Sequence, residues 1–440
     1  MTPTPFSASL PAGLALASPR VGALQRTVAY VGLVLATGAV LPWLRSSPKD
    51  VLHPDDGDAV SLAVWVGVYG LVGLLLVARP GELLETPING RPVWLLAGLA
   101  TASLQWSTAP QVTLRDGTAL VLTTVFAFYL ATRFTLRDIV AGASWVLALI
   151  GIASAAVAIF LPARGLDHVR DDAWSGLFTT KNELGRVMAL AALIWILRLA
   201  TRDARRPVCL AVVALALTLV VLSESRTALL VVGASIALAP FLALLRSRPG
   251  LAVPGLLLFV GGVSALLFWL DTNVTSLIEP LDAKGTFNGR TEIWQAVWPT
   301  IQDHVWLGYG FDGFWRGLDG PSALVWAALG DTPAHAHNGI LDLWLELGLV
   351  GVLLFLAAFA LAARRALALL YNADGVAAYW PLAFLAFLVL YNVTESTLLV
   401  ANSIFWVLFA VLLLQPAAQA EARSFRGSAA PGDPLGEVAA

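Results

Sequence analysis

Apolar stretches about twenty residues long recur along this chain and constrain it more than any other feature. Ala59–Ala78 reads AVSLAVWVGVYGLVGLLLVA, and Asp138–Leu161 and Leu251–Leu270 are comparable. A helix needs roughly 20 residues to cross about 30 Å of hydrocarbon. Inside that layer the backbone polar groups must be satisfied without water, so runs of this kind span as helices. Composition excludes the alternative of a soluble core: 58% of the 440 residues are hydrophobic, only 13% are charged, and the mean hydropathy is +0.77. The expected fold class is therefore all-α, a polytopic transmembrane helix bundle.

About twelve spans are expected, at 27–44, 59–78, 92–109, 117–134, 138–161, 184–200, 208–222, 227–246, 251–270, 338–360, 378–393 and 397–415. The first, behind Arg20 and Arg26, has a long apolar run and lacks a small-residue cleavage site, so it reads as a retained helix rather than a signal peptide. With the N-terminus in the cytoplasm, the inner segments hold 16 of the 27 basic residues and the outer ones 21 of the 29 acidic residues. That asymmetry follows the positive-inside rule and places both termini in the cytoplasm. The expected organisation is a cytoplasmic tail over 1–26, a transmembrane domain over 27–415 and a disordered, Ala/Gly/Pro-rich cytoplasmic tail over 416–440. No lipidation signal is present. Cys209 is the single cysteine, which rules out an intramolecular disulfide.

One connection, 271–337, is long, polar and on the outer side, and loops of that length are usually functional. From Thr291 to about Asp303 it has the pattern of an amphipathic helix carrying Trp294 and Trp298 at i, i+4, after which Gly308, Gly310, Gly313 and Gly317 break the helix. The tryptophans suit either anchoring at the membrane–water boundary or stacking against sugar rings. Three further polar motifs fall on the same side. TTKNELG (179–185) opens the sixth span, SESRT (223–227) forms the tight turn between the seventh and eighth, and Gly289-Arg290-Thr291 lies in the long loop. Each ionisable residue taken singly could be snorkelling or paired with an acid such as Glu183 or Glu224. Lys181, Arg226, Arg290 and His337, from four outer segments, instead suggest a common site, and the short turn gives Arg226 little freedom.

The stretch PAHAHNGILDLWLELGLVG (333–351) opens the tenth span. Asn338 is a natural N-cap. His337 then lies just before the helix, where the positive helix end disfavours a second ring proton and leaves the neutral imidazole that a general base requires. The same helix end favours an anion, and Asn338, Asp342 and Glu346 share one face. The alternative is that His337 is only a cap and that Asp342 and Glu346 are tied to arginines. Gly348 and Gly351 are expected to allow close helix packing. His335, His337 and Asp331 fall short of a tetrahedral metal set. No phosphate-cradling GxxxxGK[ST] occurs.

These motifs resemble the O-antigen ligase and polysaccharide polymerase family. Its His-Asn-x9-Gly-x-x-Gly pattern is met by His337, Asn338, Gly348 and Gly351, its Ser-Arg-Thr turn by Ser225, Arg226 and Thr227, its Lys-Asn-x-x-Gly element by Lys181, Asn182 and Gly185, and its Gly-Arg-x-x-x-Trp by Gly289, Arg290 and Trp294. In detail the likeness runs from about Trp174 to Gly351. Trp306–Phe311 (WLGYGF) and the His-Ala-His-Asn-Gly form are similar to the exopolysaccharide polymerase branch.

The resemblance implies a bundle of the GT-C-like kind in the bacterial inner membrane, with its active site in the large extracytoplasmic loop region. It implies an undecaprenyl-diphosphate-linked saccharide donor, a saccharide acceptor, and inverting glycosyl transfer with no metal and no cofactor. His337 would take the acceptor proton, and Arg226 and Arg290, with Lys181, would grip the diphosphate. Asn182, Glu224, Asn338 and Asp342 would support them. A flippase and a chain-length regulator would be partners, and nucleic acid would not. A ligase using a different acceptor shares this chemistry. A flippase would instead gather its polar groups near the bilayer midplane.

Overall fold

The computed structural model describes residues 21–44, 59–78, 90–168, 172–278 and 290–415. The expected C-terminal tail 416–440, residues 1–20 of the N-terminal one and Gly289 lie outside the described residues. The regular structure of the described residues is helical, apart from a short hairpin pairing Leu166–Asp167 with Ala173–Trp174.

Each expected span corresponds to a helix. These are α1 (Ala23–Ala36), α2 (Ala59–Val77), α3 (Arg91–Ala102), α4 (Pro110–Arg133), α5 (Leu136–Phe160), α6 (Lys181–Ala200), α7 (Arg206–Leu222), α8 (Arg226–Ser247) and α9 (Ala252–Ile278). The long loop contributes α10 (Arg290–Asp303) and α11 (Ser322–Leu329), and α12 (Gly339–Asn372), α13 (Val376–Asn392) and α14 (Ile404–Leu414) complete the chain. Six helical segments among the described residues are both long and apolar enough to cross a membrane: α2, α4, α5, α8, α12 and Pro249–Leu266 at the start of α9.

Burial sorts the helices into layers. α6, α13 and α14 are buried along nearly their whole length, with Trp195, Trp380 and Trp406 among the largest enclosed side chains. α2 and α9 lie at the periphery and turn leucines outward, Leu74 and Leu258 being 69% and 76% exposed. An apolar periphery around an apolar core has no place in water and fits a bilayer.

Three departures from the expected spans matter for function. The last one is helical only over the 11 residues of α14, about 16 Å at 1.5 Å per residue, which is short of the hydrocarbon thickness. Residues 393–403 run before it as irregular backbone within the protein, with Thr394, Glu395, Thr397 and Leu399 all buried. Non-helical chain at such a place is tolerated because protein rather than lipid surrounds it.

The second departure is Gly348. It does not act as a helix-packing glycine: at φ 64° and ψ −170° it breaks α12 into two pieces. The freed backbone groups are met by the segment 305–310. Tyr309 N donates to Leu345 O (2.8 Å), Gly310 N to Glu346 O (2.9 Å), and Leu349 N to Val305 O (2.8 Å). A Cβ on Gly348 would collide with the Trp306 backbone, and one on Gly308 would come within 2.6 Å of the Glu346 backbone. The WLGYG run thus plugs the break, and this accounts for glycine at both positions.

The third is at Gly351, where the three nearest atoms that a Cβ would meet all belong to Leu347 of its own helix.

The loop itself folds as expected around α10. Ile293, Val297 and Ile301 face inward with Tyr309, Phe314 and Val325 as a second small core. That core holds α10 against the start of α12.

Candidate active site

The polar motifs of four segments converge at one end of the bundle, and the irregular stretch 393–397 lies among them. Thr180 caps α6, its side chain accepting from Glu183 N at 3.3 Å, so that Lys181 and Asn182 occupy the first turn. Gly185, one turn on, leaves room for Ser223 and Ser225 of the α7–α8 turn. On the other side of that turn, Thr227 and Thr394 share a hydroxyl hydrogen bond of 2.9 Å. Asn338 caps α12 as expected, accepting from Ile340 N (3.1 Å) and Leu341 N (3.2 Å), and its amide donates to Val393 O (3.3 Å). Gly339 lies so close to Asn392 that no side chain would fit between them.

Glu395 is the hub of this arrangement. Its side chain is 7% exposed, and its Oε1 accepts from Arg290 Nη2 at 3.0 Å and from Asn182 Nδ2 at 3.5 Å. Its Oε2 lies 3.5 Å from Nδ1 of His337. Burial by itself would raise the pKa of this carboxyl, but the His337 contact, the neighbouring His335 and the charge of Arg290 outweigh it and hold the group down at about 2. An ionised carboxylate therefore binds together the first turns of α6 and α10 and the histidine before α12.

His335 and His337 stack with ring centroids 4.0 Å apart. Nδ1 of His335 accepts from the backbone N–H of His337 at 3.1 Å, which fixes His335 with its proton on Nε2. Burial, reinforced by His337, lowers the His335 pKa to about 3, so this ring stays neutral and does not carry protons near neutral pH. His337 itself adopts φ 50°, a left-handed conformation that costs a non-glycine residue energy. Three contacts hold it there: the His335 acceptor, the Asn338 cap and Glu395. Glu224, in the facing turn, is left-handed too, at φ 48°.

Asp342 is buried, but its carboxylate is not tied to an arginine. It accepts from Trp315 Nε1 (2.7 Å), from Ala336 N (2.9 Å) and from the Ser396 hydroxyl. Asp342 thus clamps the residue between the two histidines to the Glu395 loop, a supporting role reached through the backbone.

Cationic groups surround the hub. Arg290 is buried on Glu395. Lys181 Nζ lies 3.6 Å from Glu224 Oε2, whose side chain is 58% exposed, so that pair is weak. Arg226 begins α8 between Ser225 and Thr227; its side chain is exposed and forms no hydrogen bond or ion pair with the described residues. Arg290, His337, Asn182 and Asn338 are thus joined directly or through residues 393–395. Lys181, Glu224 and Arg226 form the adjoining rim.

Two contributors escaped the sequence reading. Glu395 is the sole charged residue between Asp374 and Glu421, and a lone acid in so apolar a stretch is the signal that could have found it. Arg186, one residue beyond Gly185, lies over the Phe405 ring at 5.4 Å, acts electrostatically on His335, and keeps its Nε buried without a partner. Asp331 does not join the histidines. Ligand atoms of His335, His337 and Glu395 lie within 4.8 Å of one another, as a metal would require. Glu395 already accepts from Arg290 through Oε1, so a cation there would share this carboxylate with a guanidinium.

No curated protein matches the chain at a significant level. Residues 211–356, from α7 through the Ser-Arg-Thr turn and the long loop to the far side of the α12 break, match the family model described as O-Antigen ligase. Over those residues the helical membrane bundle is similar to the O-antigen ligase family.

Proposed function

We propose that the protein is a polysaccharide polymerase, joining undecaprenyl-diphosphate-linked repeat units at the extracytoplasmic face of the inner membrane. The observation that carries this reading is the bridge Arg290–Glu395–His337, which puts a phosphate-binding fork and an imidazole on two oxygens of one carboxylate. An acceptor hydroxyl attacks the anomeric carbon of the donor sugar from the side opposite the diphosphate. The new C–O bond forms as the bond to the diphosphate oxygen breaks, and the configuration inverts. His337 takes the hydroxyl proton, and Glu395 stabilises the imidazolium that results. Arg290 and Arg226, with Lys181 and Arg186, meet the charge gathering on the departing lipid diphosphate. No step requires a metal.

WLGYGF at 306–311 and the His-Ala-His-Asn-Gly form support the polymerase branch over a ligase with a different acceptor. Collection of the polar groups at one end of the bundle argues against a flippase. The test is purified protein in vesicles given a lipid-diphosphate oligosaccharide as both donor and acceptor. A ladder of longer glycans with stoichiometric release of lipid diphosphate is expected. Transfer to a foreign acceptor without a ladder would identify a ligase, and translocation without bond formation would refute the transferase reading.

A further inference from the structure

α10 turns one face into the second core and leaves the other open. That open face, with the first turn of α12, forms a groove of about 480 Å³ lined by Thr291, Trp294, Gln295, Trp298 and Leu341. Three of its walls, Thr291, Trp294 and Leu341, are one step from the proposed transfer site. Thr291 follows Arg290 in the chain. Leu341 N donates to the Asn338 cap. Trp294 Nε1 donates at 2.9 Å to the carbonyl of Ala336, the residue between His335 and His337.

The aromatic surfaces are held before anything binds. Trp294 is fixed by that hydrogen bond. Trp344 Nε1 donates to Val305 O at 2.9 Å and supports Trp298 edge-on, with ring centroids 6.0 Å apart at 79°. A tryptophan that anchors a helix in the headgroup layer turns its N–H toward water or lipid. Trp294 instead uses its N–H inside the protein, and its side chain lines the groove. Gln295 lies exposed beside it, with an amide that bonds none of the described residues. Apolar ring faces bordered by an amide and a hydroxyl match a pyranose, which has C–H faces and hydroxyl edges. An acyl chain would leave the polar edge unused.

We propose that this groove is the acceptor-saccharide subsite, seating two or three sugar units so that the terminal hydroxyl reaches His337. The assignment rests on the transferase reading for its purpose, but glycan binding can be measured without transfer. The probe is a panel of linear tri- to pentasaccharides, free of lipid and diphosphate, presented to the full protein in lipid nanodiscs, with saturation-transfer NMR as the readout. The wild type is expected to transfer saturation to ring protons of at least one member. Trp298→Ala and Gln295→Ala are expected to weaken that binding at least fivefold, Trp298→Phe to restore most of it, and Arg290→Ala to leave it in place. In the transfer assay Trp298→Ala should raise the acceptor KM and leave the donor KM unchanged.

Absence of binding to every member, or equal binding by Trp298→Ala and the wild type, would overturn the proposal. So would quenching of Trp298 by chain-brominated lipid, which would assign the groove to the bilayer. Saccharide binding that depends on Trp298 in a protein that forms no glycosidic bond would keep the groove and remove the transferase. Normal acceptor kinetics in Trp298→Ala beside a dead Arg290→Ala would do the reverse.

Discussion

Replacing Glu395 by glutamine keeps the volume and one acceptor oxygen but removes the charge from the hub. In the resting protein that charge is shared between Arg290 at 3.0 Å and His337 at 3.5 Å. Hydrogen bonds to a charged group are worth roughly 1.5–3 kcal/mol and neutral ones about 1, so each of the two contacts loses on the order of 1 kcal/mol. The two losses act through different groups. The carboxylate matters most to His337 once the ring has taken the acceptor proton, so that part falls on the transition state. Arg290 loses the contact that fixes its guanidinium, so its alignment on the oxygens that gain charge in the transition state is weakened as well. Together they amount to about 2 kcal/mol, a fall in kcat of about 30-fold with the donor KM little changed. The measurement is release of lipid diphosphate in vesicles at saturating donor and acceptor, with Glu395→Ala alongside. Alanine strands the Arg290 cation in a buried place and should also destabilise the fold by about 3–5 kcal/mol, whereas glutamine should not. A folded Glu395→Gln protein with kcat within threefold of wild type, or one whose defect appears as a raised donor KM, would refute the role of this carboxylate.

Gly348→Ala should displace the Trp306–Leu307 backbone from the break in α12 and leave backbone groups of Leu345 and Leu349 unpaired. A loss of about 3 kcal/mol or more, read as a lowered thermal midpoint in detergent, is expected. Arg226→Ala should cut transfer about 100-fold, on the order of 3 kcal/mol, with thermal stability unchanged because the side chain bonds none of the described residues; a lost fold would contradict its placement. His335 has a folded pKa of about 3 against an unfolded 6.5, so its contribution is complete above pH 6.5 and is lost as the pH falls toward 3. Between pH 6.5 and 5, before Glu395 begins to act, stability should drop by about 2 kcal/mol, and His335→Gln should flatten that slope.

Much of the architecture was legible because hydrocarbon length and apolar runs impose a simple count. Every expected span contains a helix, and the cap at Asn338 is set by local chemistry that a single strand of sequence displays. What was not legible depends on contacts between distant segments. Gly348 sits in an apolar stretch that local pattern continues as helix; its break is stable only because residues 305–310, about forty positions earlier, supply the missing partners. Likewise 397–403 is as apolar as a helix, but the preceding acid and the bonds from Asn392 to Thr397 hold the chain irregular. The site was readable as four motifs on one side of the membrane. It was not readable as a site with a centre, because Glu395 belongs to no spacing pattern that marks it.

The same contacts explain why the centre lies on irregular chain. A helix presents residues on one side at a time, so an acid meant to reach the first turns of α6 and α10 and the residue before α12 together needs freedom that helical backbone denies. Breaking the chain between α13 and α14 gives Glu395 that reach, and the cost in backbone hydrogen bonds is met by Asn392, Thr397 and the cap at Asn338. His337 achieves the corresponding turn by entering the left-handed region, stabilised by His335 and by Asp342 on the neighbouring backbone. Positional accuracy there comes from hydrogen bonds between segments and not from helix packing. Relieving the strain, for example by His337→Gly with imidazole added back, should therefore leave the fold intact and return only a small fraction of activity, since free imidazole cannot inherit the orientation that the Glu395 carboxylate gives the tethered ring.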